Sequence, residues 1–92
     1  IADYNKAIEI NPQDADAYYN RGIAKYQLKN YQGAIADWGK AIAINPQHPL
    51  AYSNRGIAKE NNGDLKGACE DWKKAAELGR EDAAKLLEEH CQ

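Results

Sequence analysis

The residue types that support catalysis or metal binding are few in this sequence and poorly placed relative to one another. Ser53 is the only serine, and neither histidine is expected near it. His48 precedes Pro49 and is most simply a helix cap or an exposed loop residue. His90 and Cys91 adjoin two glutamates, but adjacent residues do not share a helix face, where metal ligands stand three or four residues apart. Without a glycine-rich phosphate loop either, the sequence predicts no enzyme, metal or cofactor.

Composition excludes several classes of partner. The formal net charge is -2 and the sequence pI is about 5.6, so no basic stripe is available for a phosphate backbone, and we expect no nucleic-acid partner. No run of about 18 apolar residues is present, so we expect no membrane span. The chain has no Met and begins at Ile1, from which we expect a piece of a longer protein.

The two cysteines, Cys69 and Cys91, are too few for a disulfide framework. We expect two free, partly buried thiols in a reducing compartment. Together with the lack of a visible targeting segment, this expectation predicts a cytoplasmic location.

The sequence repeats itself with a period of 34 residues. When it is shifted by 34, residues 20–25 align with residues 54–59, and 20 of the 34 pairs between residues 1–34 and 35–68 are identical. A weaker third copy places Asp71-Trp72 34 residues after Asp37-Trp38. A period of this size is typical of a solenoid array, in which each unit packs on its neighbours and the array commonly forms a binding surface.

The elements that position these residues are predicted to be helices. Ala is abundant, and Thr, Val, Phe and Met are absent, which places the composition at the helix-forming end of the propensity scale. The predicted segments are 1–10, 15–28, 31–44, 49–62, 65–78 and 81–91, with N-caps at Asp14, Asn30 and Asp64, Pro49 in a first turn and a stop at Gly79. Connections of two to four residues make successive helices antiparallel.

Packing inside each predicted hairpin depends on small and aromatic residues. Gly22 and Gly56 occur in mid-helix, where Gly costs about 1 kcal/mol relative to Ala, and we expect each to face an alanine of the partner helix, Ala34 and Ala68 respectively. Trp38 and Trp72 are expected to fill the volume between successive hairpins, with Tyr4 in the same role at the front.

These residues resemble the tetratricopeptide repeat (TPR) family, whose unit is a 34-residue helix-turn-helix. The first helix of the unit is similar to residues 18–26 and 52–56, and the second helix to Ala34, Trp38, Ala41 and Pro46. The resemblance implies an all-α, right-handed superhelix of antiparallel hairpins with a concave face made by the first helix of each unit. It also implies one array over residues 1–92, divided into a truncated unit (1–14), two full units (15–48 and 49–82) and a C-terminal capping helix (83–92).

Two arginines depart from the family pattern. Arg21 and Arg55 stand where Leu is usual, on a packed face where a charge needs a partner. One hypothesis is that they pair with the periodic aspartates Asp3, Asp37 and Asp71, and the other is that they extend into solvent along apolar stems.

The resemblance implies that a peptide of a partner protein binds the concave face. Helix geometry then selects twelve candidates at spacings of three and four on the two first helices: Asp16, Tyr19, Asn20, Ile23, Tyr26, Gln27, Leu50, Ser53, Asn54, Ile57, Glu60 and Asn61. Asn20 and Asn54 are the strongest candidates for binding a peptide backbone, because an amide both donates and accepts hydrogen bonds. The alternative is that both are exposed without a function. Asp16 and Leu50 stand where a carboxylate-clamping Lys would be, and Glu88 where Arg or Asn would be, so we expect neutral or basic peptides.

The predicted function is therefore a protein–protein interaction scaffold. The alternative is a structural segment that forms homo-oligomers through its open N-terminal helix. That helix presents Ile1, Tyr4 and Ile8 on a face that a preceding helix would cover, and such apolar patches commonly mark association sites.

Overall fold

The computed structural model describes residues 2–91, and of Ala2 only the backbone. These residues form six helices and no strand: α1 (Ala2–Ile10), α2 (Ala15–Gln27), α3 (Tyr31–Ile44), α4 (Pro49–Asn61), α5 (Leu65–Glu77) and α6 (Glu81–His90). Wherever the described residues test them, the predicted helix ends agree to within one residue. The all-α architecture expected from the composition and from the family resemblance is confirmed.

The helices begin where side chains can cap them. Asp14, Asn30, His48 and Asp64 each accept a hydrogen bond from the backbone N–H three residues further on, over 2.8 to 3.2 Å. Each bond satisfies one of the N–H groups that a first helical turn leaves unpaired. The three predicted caps are confirmed, and His48 is a cap as well.

Consecutive helices pack against one another along the chain. α2 packs on α3 and α4 on α5 within hairpins, while α3 packs on α4 and α5 on α6 between hairpins. The result is an elongated molecule of 42 × 25 × 16 Å. None of the helices described is both long and apolar enough to cross a membrane.

Each hairpin is closed by a tryptophan placed against a glycine. The indole Nε1 of Trp38 donates to the carbonyl of Tyr19 over 3.0 Å, and a Cβ added to Gly22 would lie 2.5 Å from the same nitrogen. Trp72 donates to the carbonyl of Ser53 over 3.2 Å and lies in the same way on Gly56. The glycines thus leave room for an indole ring to lie flat enough on a helix backbone to reach a carbonyl.

The predicted glycine–alanine crossings need a correction. The atoms nearest a Cβ at Gly22 all belong to Trp38 rather than to Ala34. At Gly56 the carbonyl oxygen of Ala68 is also close, at 3.1 Å, but the indole of Trp72 is nearer. The two tryptophans are buried as expected, and each also packs against an alanine of the following hairpin or cap, Ala58 and Ala83.

The arginine–aspartate hypothesis is confirmed at both full hairpins. Arg21 donates from Nε and Nη2 to the two carboxylate oxygens of Asp37, at 2.8 and 2.7 Å, and Lys25 reaches the same carboxylate at 3.1 Å. Arg55, Asp71 and Lys59 repeat these distances in the next hairpin. We call each three-residue group a latch, since it joins the two helices of one hairpin.

The aspartates of the latches are almost fully buried, with 4% exposure, and their oxygens are shared between two cations. Hydrogen bonding to Asp37 raises the pKa of Arg21, although burial opposes the rise. The pKa of Arg55 is raised in the same way by Asp71. A buried carboxylate is tolerated in this position because both of its oxygens accept charge-assisted hydrogen bonds.

The prediction of free thiols is wrong. Cys69 of α5 and Cys91, which follows α6, form a disulfide with an S–S distance of 2.07 Å. Sequence counting missed the pair because the two cysteines are 22 residues apart and meet only when α6 folds back on α5. The cytoplasmic location was inferred from free thiols and so loses that support, although the location itself stays an untested expectation.

Candidate functional site

The candidate site lies where the two complete first helices, α2 and α4, run side by side. Eleven of the twelve predicted residues have exposed or half-buried side chains here and are discussed below as the α2–α4 face. An open cavity of about 360 Å³ occupies its centre. The residues that line it are Ile23, Tyr26 and Gln27 of α2, Asn54 and Ile57 of α4, and Trp38 of α3.

The cavity is apolar at its base and amide-lined at its edge. Ile23 and Tyr26 pack against the buried Trp38 cluster, and Ile57 packs against the Trp72 cluster. Gln27 is exposed and Asn54 is half-buried, so both amides remain within reach of a bound molecule. A cavity of this kind can bind an apolar side chain and hold the polar groups beside it.

Two hydrogen bonds cross from α2 to α4, and we call them the bridges. Nδ2 of Asn54 donates to the hydroxyl of Tyr19 over 3.0 Å, and Nδ2 of Asn61 donates to the hydroxyl of Tyr26 over 2.7 Å. In both bridges the asparagine is 35 residues after the tyrosine, one more than the repeat period. The bridges therefore join neighbouring units, whereas each latch joins the helices of one unit.

Burial and hydrogen bonding act on the first bridge in opposite directions. Burial raises the pKa of Tyr19 above its usual value, while the bond from Asn54 and the positive charge of Arg80 oppose the rise. The phenol is therefore neutral at physiological pH and keeps its own O–H. The imidazole of His48 lies against this tyrosine, with ring centroids 4.8 Å apart.

The remaining predicted residues have different environments. Asp16 is exposed, and Leu50 is 37% exposed. Asn20, the aligned counterpart of Asn54, is half-buried in α2. Glu60 approaches Nδ1 of His90 in α6 at 3.3 Å.

Ser53 does not fit its predicted place. Its side chain is only 2% exposed and is among the largest fully buried side chains, so the structure contradicts the accessibility that ligand binding would require. The two asparagines Asn54 and Asn61 also differ from the prediction, since each already bonds a tyrosine instead of standing alone. The helical spacing placed these residues on α4 but could not show which of them is buried and which bond to α2.

Sequence reasoning missed Trp38 and His48 as parts of this region. Trp38 was predicted only as core, yet one edge of it lines the cavity. The sequence predicts His48 as a cap or a loop residue but does not predict its contact with Tyr19. A comparison of positions 35 rather than 34 apart is the signal that could have paired each tyrosine with its asparagine.

The charges near the site are mostly acidic or already paired. Asp16 and Glu60 lie on α2 and α4, while Lys25 and Lys59 are bound to the buried aspartates of the latches. Arg80, before α6, forms a bidentate pair with Asp82 at 3.0 and 2.9 Å. Among residues 2–91 no group of three histidines, cysteines or acids is arranged to hold a metal ion.

Comparison with known proteins identifies the architecture. Two tetratricopeptide repeat models match the chain, one over residues 15–48 and the other over residues 38–70. The chain belongs to the tetratricopeptide repeat family. As a TPR array it is a protein–protein interaction module. None of the curated proteins is similar enough to the chain to count as a match.

Several solved TPR structures are similar over most of this chain. The first TPR of Spaghetti (RPAP3), bound to the HSP90 peptide SRMEEVD, is 30% identical with a TM-score of 0.88, over 94% of this chain and 70% of that one. The Arabidopsis OM64 TPR domain is 34% identical with a TM-score of 0.87, over 94% and 72%. MamA is 35% identical with a TM-score of 0.81, and the match covers 89% of this chain but 47% of MamA.

Proposed function

We propose that this TPR array is a non-catalytic scaffold that binds a peptide segment of another protein on the α2–α4 face. The observation that carries the proposal is the open cavity of about 360 Å³ at the centre of that face. It has an apolar base for a side chain and amides at its edge for a peptide backbone. The RPAP3 domain, bound in its structure to a peptide, supports the same use of the fold.

The ligand of this chain differs in charge from the HSP90 peptide. The sequence SRMEEVD carries three acidic residues and one basic residue. Here Asp16 and Glu60 lie on the α2–α4 face, and the lysines of the latches are already paired. Like charges repel, so an acidic peptide is disfavoured and a neutral or basic one is favoured.

Amide chemical-shift mapping with a pool of capped, neutral and basic peptides tests the proposal. We expect shifts at Ile23 and Ile57 and none at the exposed Lys40 and Lys73 of α3 and α5. Shifts confined to α3 and α5, or no shift with any peptide, would overturn it.

A matched pair of glutamine variants provides the control. Gln27→Trp places an indole at the exposed edge of the cavity and should abolish the shifts. Gln32→Trp makes the same exchange at an exposed position of α3, away from the cavity, and should leave them unchanged. Both positions are exposed, so neither change removes a core contact.

Self-association through α1 stays a second prediction. Tyr4 and Ile8 are each half-buried within the fold, and Ile1 lies outside the described residues. Sedimentation over a range of concentrations tests it, and a constant monomer mass would contradict it.

A further inference from the structure

The two bridges stand at the two ends of the cavity. Tyr19 and Tyr26 are seven residues apart on α2, which at 1.5 Å per residue separates the bridges by about 10.5 Å. Asn54 and Tyr26 both contribute to the lining, so the cavity lies between the bridges rather than beside them. A ligand that fills the cavity therefore passes both bridges.

Each bridge keeps one donor and one acceptor for a ligand. Because the asparagine N–H donates to the tyrosine oxygen, the phenol O–H is not used within the bridge. The asparagine carbonyl oxygen is likewise not used in it. A phenol O–H beside an amide oxygen matches the C=O and N–H of a peptide backbone.

The spacing of the bridges suits an extended chain. A peptide in the extended polyproline II conformation has three residues per turn and advances about 3.1 Å per residue, so backbone groups three residues apart face the same side and are about 9 Å apart. This distance agrees with the separation of the bridges. A side chain between the two bound positions then points toward the base formed by Ile23, Ile57 and Trp38.

We propose that the ligand is a neutral or basic segment in the extended polyproline II conformation, whose backbone hydrogen-bonds to both bridges at positions three residues apart, with one large apolar side chain in the cavity. The proposal rests on the proposed function and adds the conformation, the anchor and the charge of the ligand. Leu or Phe suits the anchor, because the base is apolar and the polar edge is occupied by backbone.

Binding of one capped heptapeptide, Ac-Gly-Lys-Gly-Leu-Gly-Lys-Gly-NH2, to the whole chain tests the anchor and the charge. The indole N–H signal of Trp38 is the reporter. We expect replacement of Leu by Ala to weaken binding about ten-fold or more. Replacement of both lysines by Glu in the parent peptide should also weaken binding. Equal affinity of the Leu and Ala peptides, or tighter binding of the Glu peptide, would contradict the inference.

An ester scan of the same peptide tests the bridges directly. Each backbone amide is replaced in turn by an ester, which removes one N–H donor and leaves the side chains intact. We expect losses of about two- to ten-fold at two positions three residues apart and little loss elsewhere. Losses spread evenly over the scan, or absent from it, would show that the bridges do not read the backbone.

Two variants connect the sensitive positions to particular bridges. Asn61→Ala should remove the sensitivity at one position and leave the other, a result that a general loss of stability would not give. Tyr52→Phe removes a hydroxyl outside the cavity lining and should leave the scan unchanged.

The outcomes separate the two proposals. If peptides shift Ile23 and Ile57 but the scan is flat, the proposed function stands and this inference fails. If no peptide shifts the α2–α4 face, both fail.

Discussion

The guanidinium of Arg21 lies side-on against the carboxylate of Asp37, with two donor–acceptor distances of 2.8 and 2.7 Å. The carboxylate belongs to α3 and is almost fully buried, while the arginine belongs to α2 and remains 19% exposed. This pair and its copy at Arg55 and Asp71 replace an apolar contact of the family pattern with a charged one. In each hairpin a single buried carboxylate therefore balances the charge of two cations.

We expect Asp37→Asn and Asp71→Asn each to lower the free energy of unfolding by about 2–3 kcal/mol, because each leaves a partly buried arginine and a lysine without their counter-charge. Denaturant unfolding measures the change. Asp3→Asn is the matched control, since Asp3 has the same place in the repeat but is exposed, and it should cost less than about 0.5 kcal/mol. Equal losses at all three positions would show that the latches contribute nothing specific.

The first latch has a hydrogen bond to an asparagine that the second latch lacks, and a substitution at Gly39 can supply it. Nη1 of Arg21 donates to Oδ1 of Asn5 at 2.8 Å, and the residue 34 positions after Asn5 is Gly39. A Cβ at Gly39 would lie 3.4 Å from Nη1 of Arg55. We expect Gly39→Asn to stabilise the chain.

Gly39→Val separates the hydrogen bond from helix propensity, because Val and Asn have similar propensities but Val cannot accept a hydrogen bond. Thermal unfolding of both variants should favour Asn by about 0.5–1.5 kcal/mol. A Val variant as stable as the Asn variant would mean that the added amide does not reach the arginine.

Gly22 should tolerate no side chain. A methyl group there would meet the indole of Trp38 at 2.5 Å, so the ring would have to leave the carbonyl of Tyr19. We expect Gly22→Ala to lower the free energy of unfolding by about 1–3 kcal/mol despite the better helix propensity of Ala. Calorimetry measures the change, and Gly39→Ala should have the opposite sign, because a Cβ at that mid-helix position makes only an ordinary contact with Arg55 at 3.4 Å. A stabilised Gly22→Ala variant would contradict the packing described.

The disulfide between Cys69 and Cys91 should hold α6 against α5. The bond closes a loop of 22 residues and so lowers the entropy of the unfolded chain, which raises the free energy of unfolding by about 3 kcal/mol at 25 °C. We expect dithiothreitol, which reduces the bond to two thiols, to lower the midpoint of thermal unfolding and to speed amide exchange in α6 more than in α2. Cys69→Ala should show the lower midpoint with or without reductant. A wild-type midpoint that does not respond to reductant would contradict this role.

Tyr19 should titrate above the usual tyrosine pKa of 10.0, because burial disfavours the phenolate. A group whose pKa is higher in the folded state gives stability that is present below pH 10 and is lost as the pH rises through the folded value. Absorbance titration of the wild type against Tyr19→Phe isolates the signal. A Tyr19 that titrates below 10 would remove the argument that burial keeps its hydroxyl protonated.

The sequence predicted the fold in detail because local signals and repeat spacing agree. The caps, the prolines and the apolar stripe all place the same six helices. Arg21 and Asp37 both recur after 34 residues, at Arg55 and Asp71, and this shared period suggested that they pair. The arginine–aspartate contact inside one unit was therefore accessible from the sequence, whereas the contact of Gly22 with the indole of Trp38 was not.

Contacts between units were less accessible. The bonds from Asn54 and Asn61 to tyrosines, and the disulfide, depend on how one hairpin packs against the next element of the array. Helical spacing fixes which way a side chain points from its own axis, but the overlap of two helices decides what it meets. For this reason the predicted accessibility of Ser53 was wrong, while the peptide-binding role of the other residues stays a prediction.

The arginine latches and the tyrosine–asparagine bridges have different spans, 16 and 35 residues. A duplication or deletion of one whole unit would carry each latch along intact, because both of its helices move together. The same event would give the tyrosines at the altered boundary a new asparagine position to face, or none. Exchange of whole units during evolution can thus change the ligand that the α2–α4 face binds, while the latch inside each hairpin is inherited unchanged.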